Sequence, residues 1–301
     1  MMDTNIGIVG YGEVGKIFAQ GLKGNAGVTS ISAWDLKFVD PQLREQELSH
    51  ASTAGVKSTR GMAELCTQTT LLISAVTASN TLAVAEEAAQ SIRTGTLFLD
   101  LNSASPGTKQ QAAAAIEKAG AHYVEAGVMT SVPPYGIKVP MLLGGSKAET
   151  LAEQCRAWGM DATAIATKIG VASAVKMCRS IMIKGLEALV IESYSTARHY
   201  GVEDRVLPTL VETFPQIDWS AQGAYFFSRV VQHGKRRAEE MRESARTVEE
   251  AGFPPLMASA IAEKQDWVAK LARQGVFEDV PKGAPWQDYA DRLIRHFAPK
   301  G

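Results

Sequence analysis

The spacing of hydrophobic positions along this chain changes once, a little past its middle. Between residue 5 and about residue 165, short apolar runs alternate with amphipathic or alanine-rich segments. IGIVG, VTSISAW, TLLISAV, TLFLDL and HYVEAG have the apolar density of strands, whereas KIFAQGLKG, NTLAVAEEAAQSI and GTKQQAAAAIEKAG have helical spacing. Such alternation predicts a parallel, doubly wound sheet. After about residue 168 the strand signals stop. Helical segments follow at roughly 171–200, 204–214, 228–251, 255–274 and 286–297, separated by turn sequences such as AGFPP and VPKGAPW. The expected fold is therefore α/β: a Rossmann-type doubly wound domain over 1–167, then an all-helical domain over 168–301.

Composition narrows the function classes. A chain of 301 residues that is 46% hydrophobic can build two cores, which excludes disorder. Its 31 basic and 32 acidic residues lack the basic excess of a nucleic-acid binder. Neither Cys66, Cys155 and Cys178 nor His50, His122, His199, His233 and His296 show disulfide or metal-ligand spacing, so no metal is expected. His122, in a strand-like run, reads as structural. No hydrolase elbow of the G-x-S-x-G type is present. The opening MMDTNIGIVGYG has no basic leader and no apolar run is long enough to span a bilayer, so a soluble cytoplasmic protein is expected.

The first strand ends in Gly10-Tyr11-Gly12-Glu13-Val14-Gly15, a G-x-G-x-x-G at a strand-to-helix junction. There the first glycine allows a tight turn, the second a close approach of backbone to pyrophosphate, and the third close helix packing. Asp35, twenty residues beyond Gly15 at the end of the second strand, is placed to accept from a ribose hydroxyl. It would repel a 2′-phosphate, which favours NAD; nearby Lys37 blurs that preference and leaves NADP open. Two later strand ends, at Val76-Thr77 and at Asn102-Ser103, belong to the same crevice and are expected near the nicotinamide end. Ser103, Ser105 and Pro106 also suit the start of the next helix, and the two roles are compatible.

The stretch IGVASAVKMCRSIMIKG places cations on an otherwise apolar helix. Lys176, Ser180, Ile183, Lys184 and Glu187 fall within about 100° of one another, with Arg179 beside them. Periodicity alone suits a lysine snorkelling from an exposed strip. The helix, however, opens the second half of the chain directly after the nucleotide-binding half. A lysine there becomes a general base if its ordinary pKa of about 10.4 falls toward neutrality. Desolvation, nearby cations and a positive nicotinamide all act in that direction.

Three separated motifs then resemble the β-hydroxyacid dehydrogenase superfamily, which includes 3-hydroxyisobutyrate dehydrogenase, tartronate semialdehyde reductase and 6-phosphogluconate dehydrogenase. They are IGIVGYGEVG, DLNSASP at 100–106 and GVASAVKMCRS at 170–180, and the resemblance is strongest over residues 5 to about 202. It implies catalysis by Lys176, cofactor contacts from Gly10, Tyr11, Gly12, Glu13, Val14, Asp35, Val76, Thr77 and Asn102, and substrate contacts from Ser103, Met129, Thr130, Ser131, Arg179 and Ser180. Glu192 matches a glutamate common in the superfamily. Ser180 stands in place of the usual asparagine, the substrate loop reads Glu125-Ala126-Gly127-Val128-Met129-Thr130-Ser131, and a later lysine of the helical domain is not evident. These departures point to a divergent branch with its own helical C-terminal domain.

The activity so implied is hydride transfer between a nicotinamide, NAD with NADP open, and a small anionic hydroxy acid or its aldehyde or keto acid. An imine reductase shares the architecture but usually lacks the lysine, and a non-catalytic dinucleotide sensor is a third reading. Arg179, Lys184, Arg236 and Arg237 are candidates for an anionic substrate, although Arg236 and Arg237 more simply read as a solvated, salt-bridged helix face interleaved with glutamates. Trp219, Tyr225, Phe226 and Phe227 read as core or interface. The long apolar helix predicts a homodimer through the helical domain; neither nucleic acid nor membrane is an expected partner.

Overall fold

In a computed structural model that describes residues 3–298, the first half of the chain is a single eight-stranded sheet. Its strands are β1 (Thr4–Val9), β2 (Val28–Trp34), β3 (Lys57–Ser58), β4 (Leu71–Ser74), β5 (Leu97–Asp100), β6 (His122–Val128), β7 (Met141–Gly144) and β8 (Ala162–Ala166), in the order β3-β2-β1-β4-β5-β6-β7-β8. The helices are α1 (Glu13–Leu22), α2 (Arg44–Ala54), α3 (Met62–Gln68), α4 (Thr81–Ala89), α5 (Pro106–Lys118), α6 (Ala148–Ala157) and α7 (Val171–Tyr200), then α8 (Glu203–Thr213), α9 (Trp219–Glu250), α10 (Leu256–Arg273) and α11 (Trp286–Phe297).

The chain order reverses beside β1, which pairs in parallel with both β2 and β4. A crevice opens at such a switch point, outside the carboxyl ends of the strands. The sheet departs from the expected all-parallel form at one place, where β6 and β7 run antiparallel. Five expected strands correspond to β1, β2, β4, β5 and β6; β3, β7 and β8 and helices α2, α3 and α6 are additional to those the apolar spacing predicts. Two-residue β3 and the alternating exposure of β8 carry too little apolar signal to stand out. The sheet core is aliphatic, with Ile6, Ile8, Leu72, Ile73, Phe98, Leu99, Val124 and Leu143 buried.

Two compact units divide between Met177 and Cys178, inside α7. The second unit is helical. Its core gathers Tyr194, Trp219, Phe227, Val230, Trp286 and Tyr289, with Tyr194 and Trp286 meeting edge-on at 4.8 Å. Of the expected aromatic cluster, Trp219, Phe226 and Phe227 are core, whereas Tyr225 is exposed. α9 begins nine residues before the expected 228, because Asp218 caps it by accepting from Ala221 N at 2.9 Å. α9 and α10 approach to near backbone contact, where a side chain at Gly234 would lie 2.7 Å from the Gln265 carbonyl.

The reading of Arg237 as solvated is corrected. It is buried on α9 and grips the buried Glu187 of α7 with two hydrogen bonds, one at 3.0 Å from Nε to Oε2, while Gln265 Nε2 donates to the same oxygen at 3.1 Å. Only Arg236 is solvated, 3.7 Å from Glu240. Lys184, likewise buried, reaches Glu240 at 2.9 Å. A charge deprived of its partner in such a site keeps its desolvation cost. Arg237→Ala is thus expected to lower the stability of the helical unit by about 3–5 kcal/mol, and the paired Glu187→Leu/Arg237→Met change by much less; chemical denaturation followed by circular dichroism checks both.

Candidate active site

The glycine turn has the geometry that a dinucleotide needs. Gly10 has φ +91°, and a side chain there would lie 2.5 Å from the Ala75 carbonyl, so only glycine fits. A Cβ at Gly15 would meet the Gly10 carbonyl oxygen at 2.1 Å, which brings α1 hard against the turn. Gly12, between them, faces space with nothing within 4 Å of a built Cβ. It is also the N-cap of α1 with no side-chain cap, so the first amides of the helix are left for an anion. A pyrophosphate fits this turn. Of the intervening residues, Glu13 is exposed and Val14 half-buried. Tyr11 turns away into the core, its hydroxyl 3.2 Å from His50 Nδ1, and burial followed by the Glu47 charge pushes its phenol pKa up.

At the β2 exit, Asp35 Oδ1 accepts from Lys37 N at 2.9 Å, which fixes the carboxylate and leaves its second oxygen for a ligand hydroxyl. Across the switch point, the β4 and β5 exits are tied together by Asn102. This residue, 4% exposed, accepts at Oδ1 from Val76 N at 2.7 Å and donates from Nδ2 to Ser74 Oγ at 2.9 Å. Both ends of its amide are engaged, so it shapes the loop that carries Val76 and the exposed Thr77. The next two serines divide the work expected of them. Ser105 caps α5 by accepting from Thr108 N at 3.2 Å, with Pro106 in the first turn. Ser103 instead accepts from Lys176 Nζ at 2.5 Å.

Behind this contact lie two buried carboxylates that the sequence reading did not single out. Asp100 and Glu125 are register partners on β5 and β6, and neither has any exposed surface. Asp100 is neutralised by fully buried Lys109 at 2.9 Å, and its carboxylate also accepts from Tyr123 Oη and, at 2.8 Å, from Asn102 N. Glu125 takes the first amides of α7: Gly170 N at 2.7 Å and Ala172 N at 3.0 Å at one oxygen, Ser173 N at 3.3 Å at the other. A carboxylate there satisfies donors that a helix start leaves open and meets the positive end of its dipole. Gly127, two residues on, gives α7 room, since its Cβ would lie 2.8 Å from the Ala172 carbonyl and 3.5 Å from Lys176 Cβ. Sequence signals for this network exist. Lys109 shares a helical stripe with Ala112, Ala113 and Ile116, and a lysine on a buried stripe requires an acid partner.

Of the remaining candidates, Met129 donates its amide to the Pro140 carbonyl at 2.9 Å, Thr130 is exposed and Ser131 half-buried. In the second unit Arg179 is exposed, whereas Ser180 is buried and accepts from Lys184 Nζ at 3.2 Å. Glu192 pairs with Lys264 at 2.5 Å. No cluster of residues able to hold a metal occurs among the described residues.

A crevice at a doubly wound switch point, a glycine turn shaped for pyrophosphate and a fixed acid at the β2 exit define an NAD(P)-binding domain, followed here by a helical unit. Residues 5–157 match the NAD binding domain of 6-phosphogluconate dehydrogenase, and residues 197–268 match a Domain of unknown function (DUF1932). The chain belongs to the β-hydroxyacid dehydrogenase-like superfamily. It is similar to a conserved hypothetical protein of Sinorhizobium meliloti, at 36% identity and TM-score 0.78 over 98% of this chain and 97% of that one. A second solved structure, a conserved protein of unknown function described as structurally similar to 3-hydroxyacid dehydrogenases, is 29% identical with TM-score 0.69 over 90% of this chain and 98% of that one. The 3-hydroxyisobutyrate dehydrogenase of Mycobacterium tuberculosis shares the fold, at 16% identity and TM-score 0.66 over 98% of this chain and 100% of that one. No helix among the described residues is long and apolar enough to cross a membrane.

The buried network has a pH signature. Burial, and after it the Asp100 charge, holds the Tyr123 phenol well above its ordinary value of 10.0. The folded chain therefore keeps this proton at pH values where the unfolded chain loses it, and stability falls as pH rises above about 10. Tyr123→Phe is expected to flatten that decline in pH-dependent urea melts. At neutral pH, Lys109→Met is expected to cost about 3–5 kcal/mol by leaving Asp100 unpaired.

Proposed function

We propose that the protein is an NAD(P)-dependent oxidoreductase acting on the CH–OH group of a small anionic hydroxy acid, or on the corresponding aldehyde or keto acid, with Lys176 as general acid and base. The observation that carries this reading is the Lys176–Ser103 hydrogen bond, which supports an amine directed to the β5 exit, next to the strand ends where a dinucleotide lies. When bound, the nicotinamide supplies or takes up the hydride. The glycine turn and the α1 amides hold the pyrophosphate, Asp35 accepts from the adenosine ribose, and Asn102 keeps the Val76–Thr77 loop in place.

In the oxidative direction Lys176 takes the proton of the substrate hydroxyl as the carbonyl forms, and in the reductive direction it returns that proton to the same oxygen. Ser103 fixes the direction of Nζ, and Glu125 and Gly127 fix the helix on which it rides. Ser103, Thr130 and Ser131 are assigned to the substrate's acid group. Lys176 separates this reading from imine reduction, which needs no base for a hydroxyl proton. The exposed Met182, Leu189 and Tyr200 on α7 support self-association of the helical unit, read here as a homodimer.

The test is a screen of aldehydes and hydroxy acids with both dinucleotides, run on the wild-type chain beside Lys176→Met. Turnover is expected to fall by about a hundredfold or more in the variant, within the range of a lost acid–base group, with dinucleotide affinity unchanged. Residual activity close to wild type would remove Lys176 from the mechanism.

A further inference from the structure

One charge arrangement beside the β2 exit takes no part in the proton transfer. Lys16 at the start of α1 and Lys37 just beyond Asp35 both engage a single carboxylate, that of Glu47 on α2. Lys16 Nζ lies 2.7 Å from Oε2 and Lys37 Nζ 3.9 Å from Oε1. Glu47 is buried, whereas Lys37 retains 39% of its side-chain exposure. The group is seated on Tyr11, whose ring centroid is 5.7 Å from Lys16 Nζ. Asp35 is joined to the same turn through its bond to Lys37 N.

Ammonium groups beside an adenosine ribose attract a 2′-phosphate, and a carboxylate there accepts from a 2′-hydroxyl and repels the phosphate. With Lys16 and Lys37 alone, this turn would carry two positive charges against Asp35. Glu47 brings the four groups to zero net charge and draws both ammonium groups to itself. We propose that Glu47 is a specificity residue which, by holding Lys16 and Lys37, makes this site select the dinucleotide with a free 2′-hydroxyl over its 2′-phosphorylated form. The proposal rests on the dinucleotide reading of the glycine turn.

Fluorescence titration of the full chain with NADH and with NADPH tests it without reference to turnover. The wild type is expected to bind NADH more tightly. Glu47→Gln is expected to raise NADPH affinity by about tenfold while NADH affinity moves by less than about threefold. Glu47→Ala makes the same shift without the geometry of an amide, and Glu47→Gln/Lys37→Met returns NADPH binding to the wild-type level. An unchanged NADPH-to-NADH ratio in either folded single variant, or a wild type that already prefers NADPH, would overturn the role of Glu47 while leaving the dinucleotide site intact. Failure of the wild type to bind either dinucleotide would overturn both.

Discussion

Two carboxylates side by side in the middle of a sheet must each be neutralised, and the way this chain does so determines its candidate active site. Asp100 and Glu125 are register partners with no exposed surface. Left unpaired, each would keep its desolvation cost, about 3–5 kcal/mol, a large share of a domain's net stability. Asp100 is answered by the ammonium of Lys109, which anchors α5, and Glu125 by the opening amides of α7. Through these two interactions the end of β5 is locked to α5, which follows it, and the middle of β6 to the start of α7, which the chain reaches only after β7, α6 and β8. Hydrogen bonds to a buried charge are the strong kind, about 1.5–3 kcal/mol each, so the start of α7 has little freedom to shift on the sheet.

That rigidity bears directly on the proposed chemistry. Lys176 lies one helical turn beyond the amides held by Glu125, and its Cβ packs over Gly127. Acid–base catalysis by a long, flexible side chain is efficient only if its nitrogen is held within hydrogen-bond reach of the reacting atom. A helix pinned at its first turn, with Ser103 accepting from Nζ, removes most of the freedom of that side chain before any ligand enters. In the second unit, the Glu187–Arg237–Gln265 cluster does for the later part of α7 what Glu125 does for its start, fixing the helix against α9 and α10.

Much of this is legible in the sequence, and the rest is not for two physical reasons. The glycine turn, Asp35, the Ser105 cap and the lysine helix announce themselves because each depends on local spacing, within one turn or one helix. Glu125 and the Glu187–Arg237 pair do not, because their partners lie 45 and 50 residues away in the chain. For this reason the sequence around Arg237 points to a solvated face although the residue is buried. Interleaved glutamates on α9 imitate an exposed charge ladder, while the residue that neutralises it sits on α7. Strand β7 is apolar and mostly buried but only four residues long, and β8 lies at the sheet edge with alternating buried and exposed positions, so neither gives a strong strand signal.

The most direct measurement is a crystal structure of the full chain bound to its preferred dinucleotide. The pyrophosphate is expected against Gly12 and the first amides of α1, with the nicotinamide beside the β5 exit and Lys176 Nζ still within about 3 Å of Ser103 Oγ, facing the reactive ring carbon. A nicotinamide lying elsewhere, or a Lys176 that leaves Ser103 for bulk water in the complex, would contradict the assignment of this lysine as the acid–base group.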